Sequence, residues 1–401
     1  MKIAALIHAI QAAQKQGKNV QFRLVHTGQH YDKNMSDTFF EELGIPAPDV
    51  NLGCGGGTQA EQTAAIMVAF EKELLAHPTD VVLVVGDVTS TMACSIVAKK
   101  LNTKVCHVEA GIRSWDLTMP EEINRMVTDS LADYMFTTSE VANRNLIRQG
   151  AELVESLELS VERSSKVESG ESLPEDKYAF ERVPQKVWHV GNVMIDTLLA
   201  NRARFRKPEV WDELGLKEKG FVVMTMHRPA NVDEENHLRA MMEQIIDNVH
   251  GLPVIFPIHP RTAKLFYNLW KPTSDSSLKG REVCEDSEDI LAKRFPNLHI
   301  VEPLGYLEFN YLVERAKAVV TDSGGITEET TVMGVPCITL RDNTERPETC
   351  TVGTNELIGT KPEAIKPALD KLFAGEWKKG AIPELWDGHA AERIIAILAE
   401  L

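Results

Sequence analysis

Short, continuous runs of apolar residues recur along this chain of 401 residues, and stretches with helical periodicity lie between most of them. Continuous runs, unlike alternating ones, are typical of strands that are buried on both faces of a parallel sheet. Their alternation with helices indicates a doubly wound α/β architecture. The predicted strands cover residues 20–26, 81–85, 104–108, 134–138 and 187–190 in the first half, and 221–226, 254–258, 299–301, 318–321 and 337–340 in the second.

Two stretches interrupt this pattern and help to divide the chain. Residues 151–185 are rich in Glu and Ser, and residues 271–289 carry Pro, Ser, Gly and mixed charge, so both are predicted to be surface insertions. The chain is long enough to bury two cores. We therefore predict a Rossmann-like domain over residues 1–190, a second over 191–386, and an amphipathic helix over 387–401 that packs back on the first domain.

The charge and cysteine content of the chain limit which binding partners and which cellular compartment are expected. The net charge of −16 argues against a nucleic acid or an anionic membrane as partner, because both require a basic face. The six cysteines form no CxxC pair, which favours a reduced, cytoplasmic protein. No apolar run approaches transmembrane length. The first residues carry Ile3, Leu6, Ile7 and Ile10 at helical spacing, so they predict an amphipathic helix rather than a signal peptide.

Polar residues follow nearly every predicted strand in both halves of the chain. In open α/β sheets, ligands bind beyond the carboxyl ends of the strands. Polar residues at so many strand ends therefore predict a ligand cleft between two domains. The residues concerned are Gly28, Gln29, His30, Gly86, Asp87, Glu109, His227, Arg228, His259, Arg261, Asp322, Ser323, Gly324 and Gly325.

The segment at residues 321–348 is the most informative of these strand ends. Ser323, Gly324 and Gly325 lie where a strand gives way to a helix, whose N-terminal N–H groups and dipole suit a phosphate. Glu329 follows one helical turn later, where a carboxylate can accept hydrogen bonds from two ribose hydroxyls. The segment predicts a site for a nucleotide.

The order and spacing of eight motifs resemble the non-hydrolysing UDP-N-acetylglucosamine 2-epimerases, which have the two-domain fold of GT-B glycosyltransferases. That family inverts C2 of the sugar in UDP-GlcNAc to give UDP-ManNAc, by eliminating UDP to leave 2-acetamidoglucal and adding it back. The motifs are TGQHYD at 27–32, VVGDVTST at 84–91, HVEAGIRS at 107–114, MPEEINR at 119–125, VGN at 190–192, MHRPAN at 226–231, PIHPRT at 257–262 and the segment at 321–348.

The resemblance assigns three sets of residues. The catalytic set is Asp87, Glu109, Glu121 and His227. The set that binds UDP is Arg113, His259, Phe309, Ser323, Gly324, Gly325, Glu329 and Arg346, with Arg113 a partner for either a carboxylate or the diphosphate. Gln29 and His30 match positions that help to hold a second, allosteric UDP-GlcNAc in bacterial members.

Simpler interpretations stand beside these assignments. Asp87 could cap a helix, and Glu121 could be an ordinary acidic residue of a helix first turn. His26 and His30 lack further ligands in register, so we predict no metal site, and the absence of GxGxxG gives no support for NAD.

The resemblance further implies a homodimer, no cofactor, and a role in making precursors of surface polysaccharide. Three alternatives remain. The first is an epimerase of a related UDP-2-acetamido sugar, such as a 2,3-diacetamido uronic acid derivative. The second is a GT-B glycosyltransferase. The third is a non-catalytic UDP-sugar binder.

The N-terminus departs from the family pattern. Family members carry a strand and a G-[TA]-R-P motif before the first helix, whereas this chain opens with the helix at Met1. Either the native chain starts further upstream, which we favour because Met occurs naturally there, or the domain is truncated. A missing central strand would expose strand edges. If the chain truly starts at Met1, we expect low stability and weak or no activity.

Overall fold

The computed structural model describes residues 1–28, 40–154, 185–232, 234–258, 266 and 287–401. These residues form two compact units. The first contains residues 1–28, 44–154, 185–196 and 384–401, and the second contains residues 40–43, 197–232, 234–258, 266 and 287–383.

The described residues of the first half of the chain form six helices and seven strands. In chain order they are α1 (Lys2–Lys15), β1 (Val25–His26), β2 (Val50–Asn51), α2 (Gln59–Ala76), β3 (Val81–Val85), α3 (Thr89–Lys100), β4 (Lys104–Val108), α4 (Pro120–Leu131), β5 (Tyr134–Thr137), α5 (Glu140–Ile147), β6 (Glu152–Leu153), β7 (Lys186–His189) and α6 (Val193–Asn201).

The second half continues the alternation. Its elements are α7 (Glu209–Glu213), β8 (Val222–Thr225), α8 (Pro229–Val232), α9 (Glu235–Asn248), β9 (Val254–Pro257), α10 (Ser287–Arg294), β10 (Leu298–Val301), α11 (Tyr306–Arg315), β11 (Ala318–Thr321), α12 (Gly324–Met333), β12 (Cys337–Thr339), α13 (Pro347–Thr351), β13 (Asn355–Leu357), α14 (Ile365–Phe373) and α15 (Ala390–Leu398). Short 3-10 turns lie at Arg202–Arg204 and Pro362–Ala364.

Each unit is built on a parallel sheet. The sheet of the first unit has the order β3-β4-β5-β7-β6, and the short strands β1 and β2 form a separate parallel pair. The sheet of the second unit has the order β10-β9-β8-β11-β12-β13. The prediction of a doubly wound parallel α/β fold is confirmed.

Helices cover both faces of each sheet. In the first unit, one core cluster joins α2 and α3 to the sheet, and another joins α1 and α15 to the opposite face. In the second unit, α9 and α14 pack with one face, and α7 and α11 pack with the other. This burial on both sides explains why most strands appear as continuous apolar runs rather than alternating ones.

Most predicted strands occur within one or two residues of their expected bounds, but the first does not. Of residues 20–26, only Val25–His26 form a strand, which pairs with Val50–Asn51. Helix α1 confirms the amphipathic interpretation of the N-terminus, and it buries Leu6, Ile7 and Ile10. No helix in the described part of the chain is long and apolar enough to cross a membrane.

Candidate functional site

Asp87 lies just beyond the carboxyl end of β3, where Gly86 adopts a left-handed conformation. Its side chain is about one-third exposed, with 32% of its surface accessible, and it forms an ion pair of 2.8 Å with Nη1 of Arg125. Its backbone oxygen accepts a hydrogen bond of 2.8 Å from Asn124 Nδ2. The structure thus fixes Asp87 from helix α4 while leaving part of the carboxylate accessible.

Glu109 follows β4 and has an unusual backbone conformation. Its φ is +71°, which is strained for any residue but glycine, and such strain is concentrated at functional sites. The N–H groups of Glu109 and Ala110 both donate to the carbonyl oxygen of Phe136, at 2.9 and 3.0 Å, and hold this geometry. The carboxylate is buried and forms a salt bridge with Nζ of Lys2.

Lys2 was not identified from the sequence. It lies four residues before Leu6 and eight before Ile10, so it shares the face of helix α1 that these two residues bury. A cation in register with buried apolar residues requires a compensating anion. That position was the signal in the sequence that could have identified Lys2.

Helix α4 presents two neighbouring glutamates in different environments. Glu121, one of the predicted catalytic residues, lies exposed in the first turn. Glu122 is buried and accepts hydrogen bonds of 3.0 Å from the N–H groups of Ser114 and Trp115 and from Nε of Arg125. Arg125 therefore bridges Asp87, a predicted site residue, and Glu122; neither Arg125 nor Glu122 was assigned to the site from the sequence.

A second buried ionic cluster lies beneath the same strand ends. Asp129 Oδ1 lies 2.6 Å from His107 Nδ1, and Asp129 Oδ2 lies 2.6 Å from Arg113 Nη1. Asp129 Oδ2 also accepts from the N–H of Gly111 at 3.0 Å. Burial acts to raise the pKa of the Asp129 carboxyl, but His107 and Arg113 outweigh it and lower that pKa. Arg113 is thus held by a carboxylate.

His227 in the second unit is held by Asp322. The Nδ1 atom of His227 lies 2.8 Å from Oδ1 of Asp322, and the imidazole is largely exposed. Asp322 also accepts hydrogen bonds from the N–H groups of His227 and Arg228 and from Nδ2 of Asn231, at 2.8 to 3.2 Å. Burial alone would raise the pKa of the Asp322 carboxyl, but these hydrogen bonds lower it to about 2.

The predicted diphosphate turn begins helix α12. Ser323 is its N-cap residue in an extended conformation, and Gly324 and Gly325 form the first turn, where N–H groups have no intrahelical acceptor. A Cβ on Gly324 would lie 2.8 Å from Oε1 of Glu345. Glu345 pairs with Arg341 at 2.5 Å, and this pairing overcomes burial to lower the pKa of Glu345 to about 2. A carboxylate thus lies beside this helix N-terminus.

Glu329 is buried on the same helix. Its Oε1 accepts a hydrogen bond of 2.9 Å from the hydroxyl of Tyr306. Burial raises the pKa of the Glu329 carboxyl to about 7, and the neighbouring Glu328 adds to that rise. Arg346 is also buried and forms a salt bridge with Glu328. Phe309 is half-buried on α11 and packs against the core.

Three predicted site residues, Gln29, His30 and His259, lie outside the described residues. Within the described ranges, no group of three or more His, Cys, Asp or Glu side chains could hold a metal ion. The described cysteines, which are Cys54, Cys94, Cys106, Cys337 and Cys350, are free thiols.

Two doubly wound parallel units, one with carboxylates at its strand ends and one with a glycine turn at a helix N-terminus, define an α/β protein of the GT-B class. A sequence model of the UDP-N-acetylglucosamine 2-epimerase family matches residues 12–399. The chain therefore belongs to this family of isomerases.

Named relatives cover nearly the whole chain. A UDP-N-acetylglucosamine 2-epimerase from Methanocaldococcus jannaschii is 36% identical, over 99% of this chain and 95% of its own length. A crystal structure of the M. jannaschii enzyme with UDP-GlcNAc and UDP has a TM-score of 0.77, covering 100% of this chain and 96% of that one. A UDP-2,3-diacetamido-2,3-dideoxy-D-glucuronate 2-epimerase from Pseudomonas aeruginosa is 34% identical, over 94% of this chain and 91% of its own length.

Proposed function

We propose that this enzyme interconverts UDP-GlcNAc and UDP-ManNAc by inverting C2 of the sugar. The observation that carries the proposal is Glu109, a buried carboxylate held in a strained backbone conformation and paired with Lys2. Strain of this kind persists only where the surrounding structure enforces it. The name of the M. jannaschii relative supports the choice of substrate.

The proposed chemistry needs a base and an acid at C2. A carboxylate removes the C2 proton, the C2–H electron pair forms the C1–C2 double bond, and the C1–O bond breaks to release UDP. The intermediate is 2-acetamidoglucal. UDP then adds back to C1 while an acid protonates C2 on the opposite face. We assign this set to Asp87, Glu109 and Glu121, without dividing the roles of acid and base among them.

We assign the binding of UDP to the second unit. The N-terminus of α12 at Ser323, Gly324 and Gly325 suits the diphosphate, because its N–H groups and dipole favour negative charge. Glu329 would accept hydrogen bonds from the ribose once it is ionised. His227 would stabilise the departing UDP, since Asp322 holds its Nδ1 and leaves the exposed ring to meet the ligand.

The assignment of Arg346, Phe309 and His259 to UDP rests on the family resemblance. Arg346 would act through its salt bridge to Glu328 on the same helix as Glu329. Arg113 is tied to Asp129, so we assign it to the support of the first unit rather than to direct contact with the diphosphate.

A related substrate is the second candidate. The P. aeruginosa relative, at 34% identity, acts on UDP-2,3-diacetamido-2,3-dideoxy-D-glucuronate, as its name states. The C2 chemistry would be unchanged in that case, because the two sugars differ at C3 and C6. Parallel assays with both sugars therefore distinguish the two candidates by kcat/KM.

We further propose that the enzyme is a cytoplasmic homodimer that supplies precursors for surface polysaccharide. Support for the dimer comes from apolar side chains exposed on one segment of the first unit, which are Trp115, Leu117, Ile123 and Met126. Light scattering of I123E should show a monomer if this surface holds the dimer together.

Free thiols in the described residues are consistent with a reducing compartment. A second, allosteric UDP-GlcNAc at Gln29 and His30 remains a proposal.

Incubation with UDP-GlcNAc in D2O tests the main proposal. Elimination and re-addition must place solvent deuterium at C2, which NMR and mass spectrometry detect. A bound sugar that acquires no deuterium would contradict epimerisation and would leave a transferase or a binding protein.

The E109Q variant tests the role of Glu109. It should lose exchange at C2 while its affinity for UDP stays close to that of the wild type, because the shape of the side chain is kept. The matched control is E140Q, since Glu140 is exposed on α5 in the same unit. Exchange at the wild-type rate in E109Q would refute the assignment.

A further inference from the structure

We propose that His107 is a buried imidazolium that acts as a positioning residue, tying the strand end that carries Asp87 to the turn that carries Glu109. The effect on turnover rests on the proposed function, whereas the charge of the ring does not. His107 lies at the end of β4, two residues before Glu109. Nothing in the proposed chemistry uses it directly.

The hydrogen-bond partners decide the charge of the ring. Nε2 lies 2.8 Å from the carbonyl oxygen of Gly86, and a carbonyl can only accept. Nδ1 lies 2.6 Å from Oδ1 of Asp129. A neutral imidazole has one N–H, so it could satisfy only one of two acceptors, whereas the imidazolium satisfies both.

The alternative of a protonated Asp129 that donates to a neutral ring is disfavoured by its other contacts. Oδ2 of Asp129 already forms a salt bridge of 2.6 Å with Nη1 of Arg113 and accepts a hydrogen bond of 3.0 Å from the N–H of Gly111. Three donors around one carboxylate favour its ionised form. The three side chains are completely buried, and with His107 protonated their formal charges sum to +1.

The contacts of the cluster reach both candidate catalytic segments. Nε2 of the ring is hydrogen-bonded to the carbonyl oxygen of Gly86, the residue before Asp87. Asp129 holds the N–H of Gly111, two residues after Glu109. Gly111 is further confined, because a Cβ there would lie 2.4 Å from the carbonyl oxygen of Ala142. Loss of the second ring proton would set a lone pair against an acceptor and loosen one of these segments.

Nitrogen-15 NMR of the histidine-labelled enzyme at neutral pH reads the charge directly. One ring should show N–H correlations from both nitrogens, and these signals should be missing in H107Q. In D129N the new amide can donate to Nδ1, so the same ring should become neutral with one N–H. If the ring whose signals are lost in H107Q shows only a single N–H in the wild type, the proposal is overturned whether or not the enzyme is an epimerase.

Kinetics test the positioning role. We expect D129N and H107Q to lose about 10- to 100-fold in kcat, because the reacting groups are misplaced, while KM and the affinity for UDP change less than about twofold. The amide of Gly111 should exchange its hydrogen faster in both variants. H77Q, on an exposed site of the first unit, is the matched control and should match the wild type.

Two outcomes separate failure of the positioning role from failure of the proposed function. An unchanged kcat and unchanged exchange at Gly111 in folded D129N would refute the positioning role. Absence of C2 deuteration in the wild type would refute the proposed function, and the NMR and amide-exchange results would still decide the charge and the positioning of the segment.

Discussion

The Nδ1 atom of His227 lies 2.8 Å from Oδ1 of Asp322, and that carboxylate also accepts the backbone N–H groups of His227 and Arg228. One buried anion therefore fixes both the ring and the backbone of a residue whose side chain is largely exposed. With the ionised Asp322 as acceptor, Nδ1 carries a proton. The other ring nitrogen, Nε2, is then oriented away from this anchor.

Replacing Asp322 with Asn should impair turnover more than ligand binding. Four donors now point at this carboxylate, and the amide would place an NH2 group against some of them, so His227 would lose its fixed orientation. We expect kcat to fall about 10- to 100-fold, as measured by the rate of C2 deuteration. D212N is the control, because Asp212 is exposed and forms an ion pair with Lys207 on the surface. A folded D322N with wild-type kcat would exclude this role.

Removing Arg125 should destabilise the first unit. R125M would leave the Glu122 carboxylate buried without its cationic partner, at a cost of about 3–5 kcal/mol in the free energy of unfolding. R144M provides the comparison, since the Arg144–Glu140 pair is exposed and should contribute less than about 1 kcal/mol. Urea unfolding measures both. Equal losses in the two variants would show that burial of the pair has no such effect.

The Glu329 carboxyl should make stability fall as pH rises. Its pKa is about 7 in the folded state, against 4.5 as the ordinary value, so the folded state binds the proton more tightly. The free energy of unfolding should therefore fall by about 1.4 kcal/mol per pH unit between about 4.5 and about 7. This contribution is fully present below about 4.5 and lost above about 7.

The E329Q variant isolates this effect, because the amide does not titrate. The difference in urea stability between wild type and E329Q should change across that pH window and be constant outside it. E376Q, which alters an exposed glutamate of the second unit, should reproduce the wild-type profile. A pH-independent difference between wild type and E329Q would mean that folding does not raise the pKa of Glu329.

Gly191 should tolerate no side chain. Its φ is +93°, and a Cβ would lie 2.0 Å from the carbonyl oxygen of Leu385. G191A therefore adds a backbone clash to the strain of a left-handed residue. G150A carries the strain alone, about 1–2 kcal/mol, since its Cβ would meet nothing within 4 Å. In thermal unfolding, the melting temperature of G191A should lie well below that of G150A. Similar melting temperatures would show that the residues near 385 move freely.

The positions of Asp87 and Glu109 could be predicted because each directly follows a buried strand, and strand ends are encoded by local apolar runs. Their partners could not be predicted in the same way. Lys2 and Glu109 are 107 residues apart, and Arg125 and Asp87 are 38 apart. Local periodicity does not encode such pairings. Glu122 shows the limit most clearly, because the helical turn buries it and exposes the adjacent Glu121.

The sequence by itself determined the parallel α/β architecture, the glycine turn at Ser323–Gly325 and the family motifs, since each depends on residues close together in the chain. Only the tertiary structure decided which charges are buried together. It joined Lys2 to Glu109, His107 to Asp129 and His227 to Asp322. The physical reason is that the cost of burying a charge is offset by a partner in space, and folding selects that partner from distant parts of the chain.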